Sequence, residues 1–187
     1  ADLRQQGNLV RVVAAPAEGS IVDRDYLEKL RLLGQDLSAL PGVDSGNVSS
    51  LWSPDARWVA VTEDGFAADS IIPQGYAGTP EQLATVRRNM ELSGQIGRMI
   101  ALDFQSSVVT LPLRETTDAA GTKLSYGALS RQLDAIRDKY AAQGVRVMIT
   151  GFAKVVGDMI NANTRMFAFF GVSIGIGGAP LALIGLM

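Results

Sequence analysis

The stretch Tyr126–Gly151, "YGALSRQLDAIRDKYAAQGVRVMITG", is a helix that hands over directly to a strand. Tyr126, Leu129, Leu133, Ile136 and Tyr140 recur at spacings of 3, 4, 3 and 4, which lines one face of a helix. Gly144 stands where the chain leaves that helix in a left-handed conformation, which glycine adopts at little steric cost. In "VRVMITG", Val145, Val147 and Ile149 alternate, so they share one face of a strand.

Working outward, "FQSSVVTLPLRE" reads as another strand, with Pro112 near its end or on an edge, and "TTDAAGTK" as a turn. The last part of the domain is therefore β-α-β. The first part echoes it. "NLVRVVAAP" (Asn8 to Pro16) is a compact valine-rich run closed by proline and reads as a buried strand. Asp23 is placed to cap a helix, with Asp25 in the first turn where a negative charge suits the helix dipole. Leu27, Leu30, Leu33, Leu37 and Leu40 form one apolar face, and Pro41 stops the helix. A third element, near Val48 to Trp52, reads as a strand before a turn at Ser53-Pro54-Asp55.

Two β-α-β halves make an α+β sandwich of the ferredoxin-like split βαβ type, with helices on one face of an antiparallel sheet. The section from about Arg57 to Asp103 is then an insertion: an extended stretch over Arg57 to Thr62, a loop "EDGFAADSIIPQGYAG", and a helix. Thr79 and Gln82 make a capping box around Pro80 at the first helical position. That helix is expected to run toward Ile100, its last turns weakened by Gly94 and Gly97 by roughly 1 kcal/mol each. The domain spans 7–158, followed by an apolar tail over 166–187.

The composition excludes several chemistries. A chain of 187 residues with 47% hydrophobic and 19% charged residues can bury a real core, so wholesale disorder is not expected. A net charge of −2 without a basic run gives nucleic acid no footprint. Without histidine there is no Ser-His-Asp triad, and without cysteine no disulfide or thiolate chemistry. No cofactor, metal or catalytic residue is expected. The opening "ADLRQQGNLV" has neither an initiator Met nor a signal peptide, which suggests a processed or excised chain.

Four aromatic residues in or beside the insertion, Trp52, Trp58, Phe66 and Tyr76, are candidates to line a pocket for an apolar ligand, with core packing as the simpler alternative. Glu63, Asp64 and Asp69 make an acidic loop whose spacing is not that of an EF-hand, so it is read as solvated. "GTPEQ" is read as a structural cap. Lys154 and Asp158 lie four apart and are read as an ordinary surface pair worth about 0.2–0.5 kcal/mol.

From Met166 to Met187 no residue is charged. As a helix, the run would extend roughly 33 Å, against a bilayer hydrocarbon layer of about 30 Å. It is therefore expected to enter a membrane, with Gly171 and Gly175 at the small-xxx-small spacing that lets helices approach closely. Gly177, Gly178 and Pro180 interrupt it.

"LWSPDARWVAVTEDGFA", "IIPQGYAGTPEQL" and "GFAKVVGDM" before an apolar run resemble a bacterial branch of the resistance-nodulation-division (RND) exporters, the hydrophobe/MmpL-like exporters. The resemblance extends from about Gly7 to Asp158. It implies the first periplasmic loop of a proton-driven exporter in the inner membrane, a porter-like subdomain forming part of the vestibule for hydrophobic or lipid-like substrates. The implied partners are the remainder of the transporter chain, its second periplasmic loop, membrane lipid at the C-terminal tail, and further copies in a homo-oligomer. The acidic proton relay of such exporters lies in later membrane helices, outside this chain. The competing expectation is a freestanding ferredoxin-like ligand-binding or regulatory module that dimerises through its apolar C-terminus. A cofactor-free acid/base enzyme using Asp or Glu ranks third.

Overall fold

A computed structural model of the chain describes residues 8–63, 65–117 and 121–177, and for Thr62 and 167–177 the backbone alone. Along the chain run β1 (Leu9–Pro16), α1 (Arg24–Ser38), a 3-10 turn (Ser45–Asn47), β2 (Arg57–Thr62), β3 (Gly65–Ser70), α2 (Pro80–Leu92), β4 (Ser107–Pro112), α3 (Tyr126–Ala141), β5 (Val145–Thr150) and α4 (Phe152–Gly177). The fold is mixed α+β with two small sheets. In the larger sheet β1 lies between β4 and β5 and is antiparallel to both, so β4 and β5 run parallel to each other, joined by α3.

One face of this sheet is fully covered. Val10, Val12 and Ala14 of β1, Val109 and Leu111 of β4, and Val145 and Val147 of β5 are buried. They meet Leu27, Leu30, Leu33 and Leu37 of α1 and Leu129, Leu133 and Tyr140 of α3, also buried. Each such leucine contributes roughly 1.5–3 kcal/mol by leaving water. β1 is not enclosed on both sides, as its valine-rich run suggested: its alternate residues, led by Arg11, face outward.

Polar side chains fix how the helices sit. Asp23 caps α1 by accepting from the Tyr26 amide at 2.9 Å. The buried Tyr26 hydroxyl donates to the Ala14 carbonyl at 2.9 Å and lies 2.7 Å from Ser107 Oγ, tying α1 to β1 and β4. Between α1 and α3, the Asp36 carboxylate accepts from Lys139 Nζ at 2.6 Å and from the Tyr140 hydroxyl at 2.8 Å.

Four sequence expectations need correction here. Val48 to Trp52 is not a strand. It touches β4 through a bridge between Ser49 and Thr110 and then turns away. Its serines take over the backbone: Ser53 Oγ donates to the Ser50 carbonyl at 2.6 Å and accepts from the Ser50 amide at 2.8 Å. Such local bonds compete with a sheet ladder. The loop read after Thr62 contains β3, which pairs antiparallel with β2 with Thr62 opposite Gly65. The capping box is present, Thr79 Oγ1 accepting from the Gln82 amide at 3.3 Å, but α2 stops at Leu92 rather than near Ile100. Ser93 Oγ closes it on the Met90 carbonyl at 2.7 Å, and Gly94 and Gly97 follow at φ 64° and 84°.

The fourth correction concerns the membrane. Among the described residues no helix is long and apolar enough to cross a bilayer. The transmembrane and inner-membrane assignment is therefore overturned. The helix begins at Phe152, not Met166, and its first turns carry Lys154, Asp158, Asn161, Asn163 and Arg165. Those side chains dilute the hydropathy of the whole element. Gly171 and Gly175 lie within α4, where only the backbone is described, and 178–187, like Gly7 and Asp64, lie outside the described residues.

Candidate functional site

The four candidate aromatics do not gather. Trp52 and Tyr76 do meet, edge to face, with ring centroids 5.7 Å apart and planes at 79°. The Trp52 indole donates to the Leu27 carbonyl at 2.9 Å, which fastens it to the flank of α1. Trp52 also lines a shallow groove of about 640 Å³ with Gly34, Gln35 and Val48. The Tyr76 hydroxyl is enclosed with no hydrogen-bond partner, and burial raises its pKa, with the Asp23 carboxylate acting in the same direction. Trp58 and Phe66 belong to the β2–β3 hairpin and point to opposite sides of it. Trp58 is half-buried and shares a face with Ala60 and Ala67, the side sheltered by α2. Phe66 sits opposite Val61 on the other side, 83% exposed.

A second constellation lies where α3 and α4 cross. Lys154 is not on the surface; it is 6% exposed. Its ammonium reaches Asp158 at 2.5 Å, Asp134 at 3.1 Å and Ser130 Oγ at 3.2 Å, so its three donors are all engaged. Ser130 in turn donates to Asp158. Hydrogen bonds from Lys154 and Ser130 hold the Asp158 carboxyl below its ordinary range despite the opposing effect of burial. A serine beside a lysine suggests a nucleophile and its base. Here the hydroxyl proton is directed to a carboxylate and Ser130 is fully buried, so the group acts as a clamp between α3 and α4. The spacing of Lys154 and Asp158 was visible in the sequence; that Ser130 and Asp134 of α3 would close over them was not.

Glycine makes that crossing possible. A Cβ on Gly157 would collide with the Tyr126 carbonyl oxygen and stand 2.6 Å from Ser130 Cβ. On α3, Gly127 accepts a bond from Asn161 Nδ2 through its carbonyl at 3.1 Å. The opposite side of α4 is open: Phe152, Val155, Met159 and Met166 are all more than half exposed, and among the described residues only Phe152 of these meets a ring, that of Tyr126, edge to face at 6.3 Å between centroids.

A third feature is a groove of about 560 Å³ on the outward side of the larger sheet. Its floor follows from the strand register, which aligns Thr110, Arg11 and Thr150 in one row and Val108 and Val13 in the next. One wall comes from Ser49 and Asp55, another from Gln95, Arg98 and Met99. Met99 is held there by accepting from the Val108 amide at 2.8 Å. The Asp55 carboxyl stays below its usual range because hydrogen bonds from Ser53 and Ser49 outweigh burial.

No family model, curated protein or solved structure matches this chain. What the chain does has to be read from these surfaces. Among the described residues no group of three acidic side chains gathers to hold a metal.

Proposed function

We propose that the chain is an extracytoplasmic domain of a proton-driven RND-type exporter, a conduit module facing the periplasm that offers apolar surface to hydrophobic or lipid-like molecules. The three long motifs around Trp52, Pro80 and Lys154 motivate the family. The observation that carries the reading is the construction of α4. One side is clamped into the domain by Lys154, Ser130, Asp134 and Asp158, while Val155, Met159 and Met166 stand bare on the other. A helix so fastened and so exposed is made to carry the domain against another apolar element. On this reading those elements are the remainder of the transporter chain and its second periplasmic loop, in a homo-oligomer.

The sheet agrees with a porter-like subdomain. We read its order, with the Ser49 segment bridged to β4, then β1, then β5, as a ferredoxin-like split βαβ whose second strand is reduced to the Ser49–Thr110 and Val43–Leu113 bridges. We assign the domain no catalysis of its own.

One observation favours a second reading. Phe152, Val155, Met159, Ala162 and Met166 repeat at 3, 4, 3 and 4 along α4, the spacing of a coiled-coil seam. That pattern suits a freestanding ligand-binding or regulatory module pairing through α4. The test compares cells with and without the full gene for retention of a panel of neutral, cationic and anionic apolar dyes. An exporter leaves several-fold more of at least one dye in the deletion strain, and collapsing the proton gradient erases the difference. Equal retention of every dye contradicts the reading.

A further inference from the structure

We infer that the outward groove of the larger sheet binds an organic anion, a carboxylate or phosphate monoester carrying an apolar body, with Arg11 and Arg98 holding the charged head. The inference stands apart from the exporter reading, since such a site would serve a sensor equally well. None of the candidate aromatics lines the groove.

The register explains why the cation is placed there. Arg11 is in the central strand, with Thr110 of β4 and Thr150 of β5 directly opposite it on either side. A guanidinium flanked by two hydroxyls offers forked donors to an anion with further donors beside them. One row along, Val13 and Val108 supply an apolar floor, and Met99 continues it on the wall. Arg98 and Gln95 overhang from the turn after α2.

Charge supports an anion over a neutral guest. Among the described residues neither Arg11 nor Arg98 has a carboxylate within ion-pair distance, although other arginines of the chain, such as Arg31, Arg114 and Arg137, do. The acid in the groove is Asp55, and it accepts a hydrogen bond from Ser49 at 2.7 Å rather than from either arginine. Two guanidiniums against one engaged carboxylate leave the groove net positive. The volume, about 560 Å³, falls within the few hundred to roughly 1,000 Å³ usual for small-molecule sites. The apolar rows exclude a simple inorganic ion as the best fit, since they would then remain wet.

The test titrates the full chain with laurate, dodecyl phosphate, dodecyl maltoside and inorganic phosphate, each kept below micelle formation, while backbone amide shifts are followed. Laurate or dodecyl phosphate is expected to move the amides of Arg11, Val13, Thr110 and Thr150 saturably. Arg11→Gln and Arg98→Gln, both at exposed positions, are each expected to weaken that binding roughly tenfold, the value of one charge-assisted hydrogen bond. Neutral dodecyl maltoside should leave those amides still. Comparable binding of inorganic phosphate alone overturns the apolar half of the proposal. Binding equal in both variants and the parent, or no shift at these amides with either anion, overturns the whole.

Discussion

Lys154 Nζ lies 3.2 Å from Ser130 Oγ at a helix crossing where both residues are buried. This contact, with Asp134 and Asp158 around it, holds the start of α4 to α3. Truncating the lysine takes from Asp158 its paired cation, while Asp134 keeps its ion pair with Arg137 at 2.7 Å. Lys154→Ala is expected to cost roughly 1–3 kcal/mol, less than a fully buried pair because Asp158 is half exposed. Lys154→Met keeps the packed stem and should cost less. Urea unfolding of both variants checks the order, and a Lys154/Asp158 double-mutant cycle should return a coupling of at least about 0.5 kcal/mol.

Two helical glycines should respond oppositely to the same change. Gly157→Ala drives a methyl group into the Tyr126 carbonyl and Ser130. Overpacking of that kind costs about 1–3 kcal/mol, outweighing the helix-propensity gain of up to about 1 kcal/mol. Gly34→Ala in α1 meets open space. It should stabilise the chain by roughly 0.4–1 kcal/mol. Thermal melts of the pair decide this.

Acid should loosen the α1–α3 contact. Burial works against the Asp36 carboxylate, but hydrogen bonds from Lys139 and Tyr140 prevail and hold its pKa below the ordinary value. A depressed folded-state pKa contributes stability that is complete above the unfolded value, near 3.9. That contribution disappears as the pH falls through the lower folded value. Asp36→Asn should therefore lower stability at neutral pH and flatten the acid limb of a stability–pH curve. An unchanged limb refutes the assignment.

The candidate aromatics should separate in their effects. Phe66→Ser removes a ring that is 83% exposed and should alter stability by no more than about 0.5 kcal/mol. Trp52→Ala loses the contact with Tyr76 and the bond to Leu27, at a cost near 3 kcal/mol. Chemical denaturation of the two variants measures both.

The parts of the fold that were legible in the sequence are those where periodicity and caps agree. α3 and β5 were placed by the spacing from Tyr126 to Tyr140 and by Gly144, and the start of α2 by Thr79 and Gln82. The misses have local or tertiary causes. Ser50 and Ser53 turn the chain with their hydroxyls where a strand was expected, and the Gly-, Asp- and Pro-rich composition around Gly65–Ser70 hid β3 inside a polar loop. Reading the charge-free run from Met166 as a separate element misplaced the start of the helix, which follows Gly151 directly. The burial of Lys154 depends on two residues of another helix, Ser130 and Asp134, and had no signal in its own neighbourhood. The outward groove depends on the register that sets Arg11 between Thr110 and Thr150, which no single strand reveals.

The exporter account is tested most directly by finding what covers the bare side of α4. The chain contains no cysteine, so Met159→Cys can carry a benzophenone maleimide in the gene product at its natural length, expressed in its own cells. After illumination, mass spectrometry of the adducts should find the label joined to segments of the transporter chain beyond these 187 residues. Adducts found solely between the α4 helices of two copies would contradict the account and leave the dimeric module in its place.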